Sequence, residues 1–201
     1  MAFLGTWPST VGFTTTRFQA ISNTKQTVSD SGRRIRISTA GSRFGATLKY
    51  PPITLANFLP IQALATRCQG SLNSFDIVLP TISSNSRNHS ATTTAAATSA
   101  GSSTVALTAS GVNSTQIFNQ GDVIRFASHN KVYMLTANAT TNGSGAVTVS
   151  ITPNLFEDVA GSSAVTVDDV PFRVTLVGDV QEFRYATDDT ISYEIDILEE
   201  I

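Results

Sequence analysis

The segment from Thr190 to Leu198 alternates apolar and polar residues very regularly. Its polar face carries Glu194 and Asp196. The apolar residues fall on the opposite face: Ile191, Tyr193, Ile195 and Ile197. A period of two predicts a half-buried β-strand, because successive side chains of a strand point to opposite sides of the sheet. Such a strand must pair with others, so the chain is expected to build a sheet around it.

Residues 32–39 show the same alternation with the opposite charge. Ile35 and Ile37 share one face of the predicted strand, and Arg34 and Arg36 share the other. Opposite charges facing each other across neighbouring strands stabilise a sheet. We therefore expect the basic strand and the acidic strand to lie near each other, within one subunit or between subunits.

Charge also divides the two ends of the chain. Residues 1–80 carry eight Lys/Arg and two Asp/Glu, whereas residues 171–201 carry two Lys/Arg and eight Asp/Glu. This division suits a domain whose first and last segments pair, or a subunit that docks head-to-tail on its own copies. A solvated acidic tail is the alternative interpretation. Charged residues make up only 14% of the chain, against about 25% in typical soluble domains, which indicates that partners cover much of the surface.

One helix and many short strands are predicted. The helix has Thr54 as its N-cap, becomes regular from Pro60 and stops at Gly70. Its apolar face has 3- and 4-residue spacing: Phe58, Ile61, Leu64, Ala65 and Cys68. The first 30 residues are polar and are predicted to form extended arms or short strands. Further strands are expected over 43–50, 75–79, 104–108, 123–126, 131–137, 146–151, 171–177 and 180–185.

The composition changes abruptly after Pro80. Residues 81–103 are rich in Ser, Thr and Ala and contain one charged residue, Arg87, so they are predicted to form a linker or exposed arm. We therefore expect a discontinuous domain made of residues 1–80 and 171–201. A second β domain, residues 104–170, is inserted between its two parts, since exposed loops accept whole domains.

No arrangement of residues indicates catalysis. His89 and His129 lie in unrelated segments, and the acidic pairs 168–169 and 188–189 are interpreted as turn residues rather than ligands of a hard cation. The single Cys68 excludes an internal disulfide and falls on the apolar helix face. No catalytic, cofactor or metal site is predicted. An enzyme that cleaves cell-wall polymer would need a paired acid and base, which the sequence does not offer.

Interface residues are predicted instead. The chain has one cluster of basic residues, which consists of Arg33, Arg34, Arg36 and Arg43. This cluster could touch nucleic acid, but no aromatic stacking platform accompanies it. Salt bridges to the acidic C-terminal segment or to a neighbouring subunit are therefore favoured. No stretch approaches 18 apolar residues, so no membrane span is expected. The candidate interface residues are Arg33, Arg34, Arg36, Arg43, Glu194 and Asp196.

Three groups of segments together resemble a family of distal tail and baseplate hub proteins from tailed bacteriophages. The first group is residues 41–64 (GSRFGATLKYPPITLANFLPIQAL) followed by residues 69–80 (QGSLNSFDIVLP). The second is residues 121–133 (GDVIRFASHNKVY) with the NGSG of 142–145 and the ITPNL of 151–155. The third runs from FRVTL at 172–176 through VQEF at 180–183 to the YEID of 193–196.

This resemblance implies a mainly β fold: a discontinuous tail-tube-like β-sandwich with one flanking helix, interrupted by an inserted small β-barrel or sandwich. It further implies a homo-oligomer, a six-fold ring at the distal tube or baseplate that connects the tail tube to the hub. The expected partners are tail tube and baseplate hub or wedge proteins, with no cofactor, no membrane and no specific nucleic-acid binding, although DNA can pass through the ring lumen. The expected location is the virion, after synthesis in the host bacterial cytoplasm.

A binding module is the alternative function. The inserted domain would then be a carbohydrate- or host-surface-binding adaptor, carried on a tail anchor. Such a site requires exposed aromatic side chains. The insert offers Phe118, Phe126, Tyr133 and Phe156, mostly at positions typical of a core.

Overall fold

The computed structural model describes residues 2–38, 41–87, 93–186 and 189–201. These residues are mainly β, with one helix, α1 (Leu55–Cys68), which confirms the predicted fold class. The strands before and just after the helix are β1 (Phe3–Thr6), β2 (Thr15–Ile21), β3 (Thr24–Val28), β4 (Arg34–Ser38), β5 (Arg43–Lys49), β6 (Ile53–Thr54) and β7 (Ser74–Val78). The strands of the middle segment are β8 (Thr93–Ala95), β9 (Thr104–Ala109), β10 (Gln116–Phe118), β11 (Val123–Phe126), β12 (Val132–Leu135), β13 (Ala139–Thr140), β14 (Ala146–Thr152) and β15 (Ser163–Thr166). The remaining strands are β16 (Pro171–Leu176), β17 (Arg184–Tyr185), β18 (Thr190–Ser192) and β19 (Glu194–Glu199).

The chain divides into two compact units. The first consists of Met1–Phe75 and Val174–Ile201, and the second of Asp76–Arg173. The chain passes from the first unit to the second within β7 and returns to the first within β16.

A six-stranded sheet organises the first unit, in the order β1-β7-β16-β19-β5-β2. The acidic strand β19 lies inside this sheet, because β16 pairs with one of its edges and β5 with the other. Its apolar face is buried as the alternation predicts, and Ile195 and Ile197 join the core. The buried apolar residues of this unit include Trp7, Phe44, Leu48, Tyr50, Phe58, Ile61, Phe75, Val174, Leu176, Ile191 and Tyr193.

The helix lies with its predicted face in the core. All five residues of that face are buried, and Gln69 ends the helix in a left-handed conformation just before Gly70. The expectation of a regular helix only from Pro60 is wrong, because the helix begins at Leu55. Pro60 has no N–H to donate and forfeits one helical hydrogen bond. Complete burial of Phe58 and Ile61 on either side of it stabilises the helix through this position.

The basic strand has a different partner from the one expected. Strand β4 pairs with β3 over Thr24–Val28, so that Gln26 lies opposite Arg36 and Thr27 opposite Ile35. Pairing of β4 with the acidic strand inside the chain is therefore wrong, since both edges of β19 are already occupied. A local hairpin closes only a short loop, whereas pairing of β4 with β19 would close a loop of about 150 residues. The shorter loop loses less chain entropy, and the difference is on the order of tenths to a few kcal/mol.

The second unit contains a closed barrel with the order β11-β12-β14-β9-β8-β15. Alternate residues of its strands point inward, as in β9 and β14, whose buried and exposed residues alternate. Gly145 closes the turn before β14 with φ +78°, and a Cβ there would meet the Ala109 carbonyl oxygen at 2.5 Å. The barrel core includes Leu107, Phe118, Ile124, Phe126, Tyr133, Leu135, Val149 and Ile151.

Residues 81–103 differ from the predicted linker. Strand β8 completes the barrel by pairing with both β9 and β15. The buried Ser83 accepts a hydrogen bond from the Leu79 N–H at 2.8 Å, and the Asn85 N–H donates to Asp168 Oδ1 at 2.9 Å. Small Thr and Ala side chains suit an inward-facing strand in a narrow barrel, and Thr is a good strand former.

An ion-pair network joins the two ends of the second unit. Arg173 Nε donates to Asp76 Oδ1 at 2.6 Å, and its Nη2 donates to Oδ2 at 3.3 Å. Arg125 on β11 adds a contact of 3.4 Å to the same carboxylate. Arg125 also donates to the carbonyls of His129 and Pro171, both at 2.9 Å. The points at which the chain enters and leaves this unit are therefore tied to each other and to a barrel strand.

Candidate assembly interface

The six-stranded sheet of the first unit is open and has two unlike edges. Strands β1 and β2 stand at the ends of the strand order, so each has a strand neighbour on one side only. Edge strand β2 is the longer, and its seven residues pair with β5 from Thr15 to Ile21. Phe18 stacks on Phe44 with ring centroids 5.2 Å apart, which fixes one face of β2 against the sheet. An open edge presents backbone N–H and C=O groups to another chain.

Strands β3 and β4 form what we call the basic hairpin, residues 24–38. The turn is closed by a hydrogen bond of 2.9 Å from the Ser29 N–H to the Arg33 carbonyl. Four basic side chains and one carboxylate, Asp30, lie on this hairpin. Both of its faces are exposed, including the apolar side chains of Ile35 and Ile37, which are 50% and 60% exposed. Two-stranded hairpins are at best marginally stable alone in water, so this one is expected to gain order from a partner.

The acidic residues of β19 line an open depression that we call the acidic groove. Glu194 lies opposite Lys49 of β5, and Asp196 Oδ1 accepts a hydrogen bond of 2.6 Å from Thr47 Oγ1. The other wall is the segment 177–186, with Glu182 among its groove residues. The groove has a volume of about 580 Å³. It therefore offers carboxylates on both walls.

Segment 177–186 is held over the sheet by a few contacts that we call its anchors. Phe183 packs on Phe58 and Tyr193, with centroids 5.5 and 5.1 Å apart. The Tyr193 hydroxyl donates to Gln181 Oε1 at 2.8 Å. On either side of these anchors in the sequence, Val180 and Tyr185 remain 88% and 59% exposed. The groove wall is thus fixed from beneath but presents an apolar and aromatic surface outward.

Two buried tyrosines, Tyr50 and the groove residue Tyr193, stack on each other with ring centroids 6.2 Å apart. Burial raises the pKa of Tyr50 to about 12, although the hydrogen bond of 2.7 Å that its hydroxyl accepts from Trp7 Nε1 acts in the opposite direction. Burial also raises the pKa of Tyr193, and the neighbouring Tyr50 adds to that rise. Tyr193 directly precedes β19, so its buried ring anchors the start of the strand that carries Glu194 and Asp196.

The structure separates the predicted interface residues into three places. Arg33, Arg34 and Arg36 are together on the basic hairpin. Arg43 begins β5, whose pairing with β19 runs to Lys49 opposite Glu194. Glu194 and Asp196 share the acidic groove. Sequence reasoning missed Lys49 as a groove residue, although its place in the same alternating strand as Arg43 was a usable signal.

A second apolar surface lies on the outer side of α1. Leu55 and Leu59 are one helical turn apart, and both are exposed, as is Leu72 beyond the helix. The helix carries a single charged residue, Arg67. Solvent-facing helix surfaces are usually charged, so this composition agrees with a surface that partners cover.

His129 and Cys68, which were considered above as possible reactive residues, have structural roles. His129 Nδ1 lies 2.8 Å from the Tyr133 hydroxyl, which accepts a hydrogen bond of 3.1 Å from the Phe156 N–H. Cys68 is buried in the helix face, and burial raises the pKa of its thiol to about 11. Across 2–38, 41–87, 93–186 and 189–201, no three His, Cys, Asp or Glu side chains gather as metal ligands would. His89 and Asp188 lie outside the described residues.

Within the described part of the chain, α1 falls short of the length and apolar character needed to cross a bilayer.

Comparison with known proteins finds a similarity in the middle of the chain. Residues 83–170 match the family model of the B domain of the distal tail protein pb9. No curated protein matches the chain significantly. The match confirms the resemblance to a distal tail family of tailed phages, and such a family implies a structural role in the virion tail.

Proposed function

We propose that this chain, whose residues 83–170 match the model of the B domain of the distal tail protein pb9, is a ring-forming subunit of a phage tail. In this role it closes a homo-oligomeric, six-fold ring at the distal tube and connects the tail tube to the baseplate hub. The domain of residues 1–80 and 171–201 forms the ring, and residues 83–170, which include barrel strand β8, are the insert. The chain acts through its interfaces and performs no catalysis.

The open sheet with two unlike edges is the observation that carries this proposal. An edge strand that pairs with a different edge on the next copy makes a head-to-tail contact. Head-to-tail contacts produce a closed ring when the rotation between copies closes on itself. Strand β2 of one copy and β1 of the next are the two surfaces available for such pairing within the described sheet.

Charge and composition support the same function. The basic first part and the acidic last part of the chain are complementary between copies arranged head-to-tail. The exposed apolar residues on the basic hairpin and on α1 suit surfaces that are covered after assembly. A monomer that stayed in solution would need more charge on these surfaces.

Hydrogen exchange on the full chain tests the edge pairing. Native mass spectrometry first identifies the concentrations at which the chain is monomeric and at which it is assembled. We expect the amides of Thr15–Ile21 and Phe3–Thr6 to gain protection on assembly, because edge N–H groups then donate to another copy. The barrel strand β14 (Ala146–Thr152) is the internal control and should exchange equally in both states. An assembly that leaves both edges as exchangeable as in the monomer would contradict edge pairing.

The binding-module alternative receives less support. Phe118, Phe126 and Tyr133 are completely buried in the barrel core, so they cannot stack on a sugar ring. Of the four aromatic residues of the insert, Phe156 is the exposed one. A glycan array probed with the full chain tests this alternative, and selective binding that Phe156→Ala abolishes would favour it.

A further inference from the structure

On the basis of the ring function above, we propose that the basic hairpin of one copy docks in the acidic groove of the next copy. The occupant of the groove is thus residues 24–38 of a second copy of this chain. The edge strands bring neighbouring sheets together, and the hairpin adds a second, polar contact that selects the correct neighbour. This deepens the ring proposal by naming which surfaces meet.

The two strands of the hairpin have no strand partner outside the hairpin in the described part of the chain. Arg34 and Arg36 project from one face, and Ile35 and Ile37 project from the other. A hairpin that is amphipathic but uncovered on both faces is expected to find a complementary surface elsewhere.

The groove complements the hairpin in charge. Three carboxylates line the groove together with two basic side chains, Lys49 and Arg184, and Arg184 is paired with Glu182 at 2.9 Å. Within the groove, Glu194, Asp196 and Glu182 supply carboxylates to both walls. The planar guanidinium groups of Arg34 and Arg36 can bond such carboxylates through two N–H groups at once. Because these side chains lie near water, their pairing contributes mainly to the choice of partner and to register.

The groove also complements the hairpin in apolar surface. Val177, Val180 and Tyr185 line the groove and are exposed, so they offer contacts to Ile35 and Ile37. Tyr185 provides an aromatic face on which a guanidinium can stack. Since β16 and β5 occupy both edges of β19, the hairpin contributes side-chain contacts rather than a further strand.

A charge swap in the full chain tests this contact. Arg34→Glu with Arg36→Glu should weaken self-association at least about tenfold, and Glu194→Lys with Asp196→Lys should have a similar effect. Combining all four substitutions should restore association to within about threefold, because the attraction returns with its sign exchanged. The matched control, Arg87→Glu with Gln120→Glu and Thr148→Glu, makes the same change of net charge as Arg34→Glu with Arg36→Glu, at exposed sites of the second unit that belong to neither surface. Circular dichroism confirms that each variant is folded.

Cross-linking between copies gives an independent result. A chain with Ile37→Cys is mixed with a chain that carries Val180→Cys, and disulfide-linked dimers between the two are expected under mild oxidation. Cys68 is completely buried and stays outside this reaction. Phe156→Cys, at an exposed position on the barrel unit, replaces Val180→Cys as the control partner and should not cross-link.

The outcomes separate this inference from the ring function. Native mass spectrometry could find a ring while no disulfide-linked dimer forms and the charge substitutions leave self-association unchanged. In that case the hairpin does not occupy the groove, and the ring function stands. If the chain remains monomeric at every concentration, both are contradicted. A cross-link together with restoration by the swap supports the contact.

Discussion

The carboxylate of Asp76 is expected to be the most important single charge for the stability of the second unit. It receives two hydrogen bonds from Arg173 and a third contact from Arg125. The side chains of this network are only 12–16% exposed. Removing the carboxylate takes these contacts away from two guanidinium groups that lie in a poorly solvated position.

The magnitude follows from this geometry. Breaking a fully buried ion pair costs about 3–5 kcal/mol, and the remaining exposure here lowers that cost, so we expect Asp76→Ala to destabilise the unit by about 2–4 kcal/mol. Asp76→Asn keeps one oxygen that can accept from Arg173, and should cost about half as much. Glu182→Gln is the control, because Glu182 and Arg184 form an ion pair that is 70–75% exposed. Exposed pairs contribute about 0–1 kcal/mol.

Native-state hydrogen exchange is the appropriate assay, because a chain with two units need not unfold in one step. Protection of buried barrel amides in β11 and β14 reports on the second unit, and fluorescence of the single Trp7 reports on the first. The expected result is a loss of barrel protection in Asp76→Ala that is greater than in Asp76→Asn, with Glu182→Gln unchanged. If Asp76→Ala costs no more than Glu182→Gln, the network is solvated and the reasoning from burial is refuted.

Three further predictions concern the buried side chains. Tyr133→Phe should destabilise the barrel by about 1–3 kcal/mol in urea unfolding, since His129 Nδ1 and the Phe156 N–H lose their shared partner; an unchanged midpoint would contradict this. The pKa of Tyr50 is raised to about 12 from an ordinary value of 10, so the folded chain keeps this proton to a higher pH than the unfolded chain does. The contribution of Tyr50 to the free energy of unfolding is therefore fully present below pH 10 and decreases as the pH rises from 10 to 12. Tyr50→Phe should make that loss less steep in alkaline melts, and an equal slope would exclude Tyr50 as its source. Cys68 should not react with a thiol reagent at pH 8 until the chain is unfolded, and rapid native labelling would show that its helix face opens.

Much of the local structure could be predicted from the sequence, because it depends on periodicity. The helix face of Phe58 and Ile61 and the buried face of β19 follow directly from spacings of 3–4 and 2 residues. The start of α1 was misjudged because Pro60 weakens the local preference for helix. Burial of the residues around Pro60 overrides that preference, and burial is a property of the whole fold.

The partners of strands could not be predicted in the same way. Arg34 and Arg36 carry charges that suit Glu194 and Asp196, but charge alone does not determine which strands pair. The local hairpin and the two occupied edges of β19 decide the pairing. Likewise, β8 lies in a segment with a composition typical of linkers, and only the need to close the barrel makes it a strand.

Counting this chain in purified phage particles tests the central claim most directly. Quantitative mass spectrometry of particles from the source lysate would give its copy number relative to other virion proteins. A structural ring subunit predicts a fixed copy number on the order of six or a small multiple of six in every particle. Absence of the chain from purified particles, with abundant soluble protein in the same lysate, would contradict its role as a component of the tail.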